Sequence, residues 1–396
     1  MQSKVMAFVN QVAEIVHGIV NEFHGAANKN TGDTFLLVWV LSDPEDFARL
    51  ADMSIIAFSK ILGAVHQSHM LAEYRGHPSL QQRLGSHFRV CLNLGLHAGW
   101  AIEGAVGSEF KIDASYISPN VAIAESVEYA TRQYGVSFMA SEAVVALCRQ
   151  ECRQRCRVVD RVLIPGSTEP MELYVIDLHA TDLKVASDLA KPMVWNPRQR
   201  FKVRQFLEAE KMQKQDSNYS AGRLFHTDQV LAAMRQRYTE DFLQVFKMGY
   251  KNYLEGEWPV ARNFLSCTHT NWGFEDGPSA ALLRFMDCAD FQAPEDWPGF
   301  HELHCLSHAE ALGTAKTCTT HAVCDLAREP PDVEEEQMPR ASARSVPRRR
   351  QLKDPTSDVE STSGHECETL PDKAFMRTDT DIHRASSARH AHQALP

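Results

Sequence analysis

Long apolar runs are missing from this chain. None approaches the roughly 18–20 consecutive residues that a membrane-spanning helix needs, so no membrane segment is expected within it. The N-terminus has no basic stretch followed by an apolar core, and no secretory signal is expected. Cysteine is too sparse for a disulfide scaffold, with ten scattered through 396 residues. Reduced thiols and a cytosolic setting follow, for the chain alone or as the cytosolic part of a membrane-attached protein. Positive charge is also short: 41 Lys and Arg against 51 Asp and Glu leave a formal charge of −10. Nucleic acid and anionic membrane surfaces repel such a chain on average, so neither is an expected partner. No internal repeat is visible. Beyond about residue 313 large apolar residues thin out, while Ser, Thr, Pro and charge accumulate, including Glu334–Glu336 and Arg348–Arg350. That composition cannot offset the entropy of ordering, and 313–396 is expected to be a disordered tail.

What is present reads as alternating elements. Val5, Phe8, Val9, Val12, Ile15, Val16, Ile19, Val20 and Phe23 follow helical spacing, with Gly25 as the stop. Residues 34–41 predict a strand, apolar on both faces and therefore central in a sheet. A long helix is predicted over 45–74, strands over 86–97 and 100–106, a helix over 121–134 and a strand over 136–139. Ser141 caps a helix to about residue 155, and strands at 157–164 and 171–178 pair around Gly166. The sum is an α+β domain with helices on a largely antiparallel sheet. Strand signals then vanish from 180 to 312, where helices are predicted over 241–254, 259–267 and from the Asp276-Gly277-Pro278-Ser279 turn to 285.

Three blocks carry more than periodicity: residues 26–35 (AANKNTGDTF), residues 94–108 (LGLHAGWAIEGAVGS), and residues 111–126 followed by Glu128. In order and spacing they resemble the catalytic domain of class III nucleotidyl cyclases, the protist form above all. The resemblance covers about residues 4–178. It continues more weakly to about Leu303 through Tyr253–Trp258, Asp276–Ser279 and Trp297-Pro298-Gly299, which match the helical extension of many such domains.

The resemblance implies a ferredoxin-like fold, conversion of ATP to 3′,5′-cyclic AMP and pyrophosphate, and two ions of Mg²⁺ or Mn²⁺. It also implies a head-to-tail homodimer, or a heterodimer with another cyclase domain. The ions clamp the attacking and leaving oxygens of an in-line displacement. Asp33 matches the second metal-binding aspartate; a plain Gly-Asp hairpin turn is the simpler alternative. Lys29 matches the residue that reads the purine, and Ser115 the second base-reading position. A lysine donor and a hydroxyl acceptor suit ATP better than GTP, whereas a solvated loop charge is the alternative for Lys29. Gly104–Gly107 resembles the hairpin beside the nucleotide at the dimer interface, and glycine serves a tight hairpin equally well.

The departures from the family pattern matter as much. Its transition-state asparagine and arginine fall on Ala122 and Ser126, and its triphosphate-binding lysine on Pro165. None of the three can supply the charge, and one such contact is worth about 10²–10³ in rate. Asn120 and Arg132 are nearby substitutes that the register places elsewhere. The strand bearing the family's first metal aspartate has no counterpart before the first helix; the expectation is that Met1 is not the true start or that an upstream polypeptide supplies the strand. The expected architecture is therefore a class III cyclase domain lacking its first strand at 1–178, a helical extension at 179–312 and the tail. The functional expectation is a cyclase-like protein in cyclic nucleotide signalling, impaired or inactive as an enzyme. Its alternative role is that of a pseudocyclase acting as a regulatory or dimer-partner domain.

Other constellations have simpler readings. Cys148, Cys152 and Cys156 recur every fourth residue on one helix face, where zinc or redox chemistry competes with a buried structural stripe and no fourth ligand is evident. His301, His304, Cys305 and His308 have ligand-compatible spacing near the ragged end of the extension. Tyr253 to Phe264 reads as an aromatic half-repeat packed on the cyclase domain.

Overall fold

The computed structural model describes residues 2–31, 34–78, 81–82, 89–186, 196–216 and 218–303. Asp33, the expected tail with Arg348–Arg350, and His304, Cys305 and His308 lie outside the described residues.

The opening period folds as α1 (Gln2–Glu22), which buries Val12, Val16 and Val20, while Val5 is exposed. The helix ends one residue earlier than expected: His24, at φ 59°, takes the left-handed position, and the Gly25 N–H reaches Val20 O at 2.8 Å. A strand not foreseen, β1 (Ala26–Thr31), pairs antiparallel with β2 (Thr34–Val38). Among the described residues β2 pairs only there, so it is not central as expected. Its Phe35 and Leu37, with Trp39, lean on a core shared with α1. The apolar pattern reported burial correctly, but burial does not name a strand's partner.

The expected helix over 45–74 is two helices, α2 (Phe47–Gln67) and α3 (His69–Glu73). Extended Ser68 breaks them (φ −61°, ψ 119°), and its hydroxyl caps the second by accepting Leu71 N–H at 3.3 Å. Among the described residues of the expected 86–97 strand, Leu94–Leu96 form β3, and 86–88 lie outside them. A hairpin of β4 (Ile102–Ser108) and β5 (Lys111–Ile117) follows, the latter missed by the sequence reading. Then come α4 (Pro119–Gln133), β6 (Phe138–Ser141), α5 (Glu142–Leu147), α6 (Gln150–Arg153), β7 (Cys156–Leu163) and β8 (Met171–Ile176). The helix expected over 141–155 is broken at Cys148, whose backbone is extended (φ −65°, ψ 148°).

The extension forms α7 (Pro197–Gln213), α8 (Leu224–Thr227), α9 (Gln229–Arg235), α10 (Glu240–Leu254), α11 (Trp258–Thr270) and α12 (Gly277–Asp287). A two-residue strand, β9 (His301–Glu302), corrects the expectation of an all-helical segment by pairing with β7. The main sheet runs β3-β6-β8-β7-β9 and is mixed: β3–β6 and β7–β9 are parallel, the inner pairs antiparallel.

Alternation along β6 and β8 sends side chains to two cores. Phe138, Ala140 and Ile176 join α1, α2 and α9, whereas Met139, Leu173 and Val175 join α4 and α10–α12. Both cores thus contain residues from either side of position 178. The second helix group is tied to the sheet by Arg157 of β7, which is buried. Its Nε and Nη2 donate to Asp177 at 2.7–3.1 Å, and Nη1 and Nη2 to Asp276 at 3.3 and 2.9 Å. Phe246 of α10 covers the guanidinium at 4.2 Å from the ring centroid. Asp276 also caps α12, accepting Ser279 N–H at 2.9 Å. A Cβ at Gly277 would stand 2.1 Å from Tyr134 O, so only glycine lets α12 start against the end of α4.

A register shift between Val158 and Asp160 turns both Val159 and Asp160 inward. Asp160 Oδ2 accepts from the Tyr134 hydroxyl at 2.5 Å and from His301 Nε2 at 3.1 Å, pinning β9 to β7. Burial alone would depress the His301 ring. The hydrogen bond to Asp160 and its charge, with the Glu302 carbonyl, outweigh burial and hold the imidazole above its ordinary 6.5.

Two outcomes follow. Arg157→Ala strands two buried carboxylates and should cost about 3–5 kcal/mol in urea unfolding; a loss under about 1 kcal/mol would refute the tie. Because the His301 pKa is raised on folding, its contribution is complete below 6.5 and fades as pH rises through the higher folded value. The stability gap between wild type and His301→Gln should therefore shrink on moving from mildly acidic to alkaline buffer, and a gap that widens would contradict this.

Candidate functional site

The strand ladder of β1 shifts register at Asn28, between Ala27 and Lys29, and leaves the exposed Lys29 opposite Leu36. Asn28 Nδ2 donates to Ala114 O at 3.4 Å, which sets the β1–β2 hairpin against β5. Ser115, the next residue, is half-buried and faces Gly104 across the ladder. A Cβ at Gly104 would meet nothing within 4 Å, so the space over Ser115 is open. Gly107 differs: a Cβ there would lie 2.0 Å from Lys111 O, and the close hairpin is what requires it. Lys111 beside Asp113, at 2.9 Å, and more weakly Lys29, hold the Asp113 carboxyl below its usual range. The structure thus brings Lys29 and Ser115 onto adjoining hairpins.

The chain leaves β5 directly into α4. Ser118 caps this helix, accepting Asn120 N–H at 3.1 Å, and donates to Trp100 O at 2.6 Å. The Asn120 amide donates to Trp100 O at 2.9 Å and accepts from His97 Nε2 at 3.1 Å. His97 Nδ1 then accepts from Ser141 Oγ at 2.7 Å, a neutral tautomer that agrees with the downward shift burial imposes on the ring. Asn120 is therefore occupied in fixing the 97–100 loop. Arg132 pairs with Glu128 at 2.7 Å. On α4, Ala122 is exposed and Ser126 half-buried one turn later, along the flank of the buried stripe Ile123, Val127 and Ala130. Pro165 is exposed in the β7–β8 turn of the larger sheet beside Gly166, at φ 90°, and is not on the hairpins.

Among the described carboxylates of the hairpins, Asp113 is ion-paired with Lys111. Among the described residues, the group of three metal-capable side chains is Asp52, Cys148 and Cys152, inside the core. Sequence reading missed Asp52, although a lone acid in the apolar run 50–56 was the available signal. The aromatic half-repeat is packing: Tyr253 stacks on Trp258 at 6.1 Å and 17°, within the second core. His301 is committed to Asp160.

In its α+β fold and in the order of the three motif blocks the chain is similar to nucleotidyl cyclase domains. Over 174 residues it is 24% identical to an adenylate cyclase of Anabaena cylindrica, a match spanning 44% of this chain and 32% of that protein. Among solved structures, a bacterial light-regulated adenylyl cyclase is similar at 21% identity and TM-score 0.34, covering 45% of each chain. The adenylyl cyclase CyaB from P. aeruginosa is similar at 16% identity and TM-score 0.31, covering 43% of this chain and 80% of its own. The chain therefore spans less than half the length of the first two relatives. No family model matches. Among the described residues no helix is long and apolar enough to cross a membrane.

Asn120→Ala should leave His97 Nε2 without a partner and Trp100 O with only the Ser118 hydroxyl, and lower stability by about 1–3 kcal/mol. Thermal unfolding measures this, and an unchanged midpoint would show that the loop does not depend on the amide.

Proposed function

We propose that this chain acts as a catalytically deficient class III cyclase domain that pairs with a second cyclase domain in cyclic nucleotide signalling. The observation that carries this reading is the outward face of α4. It presents Ala122 and Ser126 where the family has its asparagine and arginine, and the two polar neighbours, Asn120 and Arg132, are engaged elsewhere. Without those groups, or a lysine at 165, no charge is preorganised on the phosphate under attack.

Lys29 and Ser115 support purine binding with a lean to ATP: the ammonium would donate to a ring nitrogen and the hydroxyl accept from the exocyclic amine. With Asp33 the one retained metal position, a two-ion Mg²⁺ or Mn²⁺ set would have to come from the partner. The partner face is the β4–β5 hairpin, which carries exposed large apolar side chains on both of its faces and at its turn, among them Trp100, Ile102, Ile112, Ile117 and Phe110 (89% exposed). This surface serves a homodimer or a heterodimer. A cytosolic setting suits a chain whose described cysteines are all unpaired.

The test mixes the purified chain, ATP and Mn²⁺ with a complete class III domain that keeps both metal carboxylates but has lost its own asparagine and arginine. Wild type should yield no cyclic AMP above the partner alone. The triple variant Ala122→Asn, Ser126→Arg, Pro165→Lys should raise the yield by about 10²-fold or more, and Phe110→Ser with Ile112→Ser should abolish pairing in sedimentation. Ready cyclic AMP synthesis by the wild-type chain would end the reading.

A further inference from the structure

The buried Asp52 of α2 is half satisfied. Its Oδ1 accepts the Arg149 N–H at 3.1 Å, where the break at Cys148 turns that donor inward. Its Oδ2 has no hydrogen-bond partner, and the residue is 1% exposed. A carboxylate oxygen left alone in an apolar core is costly unless something neutral or positive meets it. What faces it are two thiols: a carboxylate oxygen of Asp52 and the sulfurs of Cys148 and Cys152 all lie within 4.8 Å of one another. Both cysteines are buried, and Cys156, half-buried, follows one turn later with its thiol interacting with that of Cys152.

We propose that Asp52, Cys148 and Cys152 form a structural site for a thiophilic divalent cation, Zn²⁺, that staples α2 to the α5–α6 pair. Zinc takes cysteine sulfur at about 2.3 Å and carboxylate oxygen at about 2.0–2.2 Å, so its ligand atoms sit roughly 3.5–4 Å apart. The observed spacing is within an ångström of that, a change side-chain rotation supplies. Soft thiolates favour zinc over Mg²⁺ or Ca²⁺. On binding, each thiol exchanges its S–H bond for a Zn–S bond and releases its proton to solvent. The carboxylate Oδ2 donates a lone pair, and no electron transfer is involved. Two thiolates, one carboxylate and Zn²⁺ leave a net charge of −1 at the site, the same as two thiols and a carboxylate before binding, so the ion enters with no build-up of charge. Asp52 supplies a third protein ligand that the cysteine spacing alone does not reveal, and the fourth tetrahedral position is left for a water or an exogenous ligand. The site is independent of the cyclase reading.

The test reduces the full chain, unfolds it, and refolds it with Co²⁺ as a spectroscopic probe. The expected result is one equivalent of bound cobalt, a thiolate-to-cobalt absorption band, displacement by Zn²⁺, and a zinc-dependent rise in unfolding temperature. Cys152→Ser and Cys148→Ser should each weaken the band and Asp52→Asn should lower affinity at least tenfold, whereas Cys288→Ser, exposed and remote in sequence, should change nothing. A folded wild type that takes up no metal, or a band untouched by both cysteine substitutions, overturns the proposal. Should the variants fail to fold, X-ray absorption on the wild-type zinc form decides. Two sulfur neighbours with oxygen support the site, and an all-nitrogen-and-oxygen shell refutes it.

Discussion

The Arg157 guanidinium is the point on which the described structure hangs together. It is the one side chain that binds the sheet, through β7 and Asp177, to the start of α12, through Asp276, and to α10, through Phe242 and Phe246. Desolvating three charges is expensive, and the geometry must be nearly complete to compensate. Here it is: Nε and both terminal nitrogens donate, and Asp276 spends its remaining capacity on the Ser279 backbone and hydroxyl. Arg235 adds a second cation, donating to Asp177 O at 3.3 Å, so two positive and two negative groups meet. A helical extension that merely leaned on the sheet could slide, whereas this one is indexed to it.

The same tie fixes α4. With α4 clamped between the sheet and α12, its outward side is the part left to face a ligand or partner. The fold there is intact: β5 enters α4 through Ser118, and the His97–Asn120–Ser141 chain holds the loop below it. Ala122 and Ser126 sit off the buried stripe of this helix, so the residue types there are not dictated by the packing of Ile123, Val127 and Ala130.

Parts of this were legible in the residues alone. The helical periods of α1, α10 and α11, the Asp276–Ser279 turn into α12 and the pairing of β7 with β8 around Gly166 all appear as local patterns, because each depends on neighbours close in sequence. The misreadings share a cause. The two breaks, at Ser68 and Cys148, fall inside apolar periods that continue across them, so periodicity cannot register the break. The central place expected for β2, and the missed β1 and β5, concern pairing partners, and side-chain pattern reports only burial. Lys29 and Ser115 were found through motif register; that they lie on adjoining hairpins required the Asn28–Ala114 hydrogen bond.

By itself the sequence determined the α+β class and the order of the three motif blocks, since these are matters of residue pattern. Tertiary structure decided the rest. It alone placed Asp276 against Arg157, Asp160 against His301 and Asp52 against Cys148 and Cys152. The physical reason is common to all three: a buried carboxylate must be met by a donor or a cation, and the chain brings that partner from a distant segment.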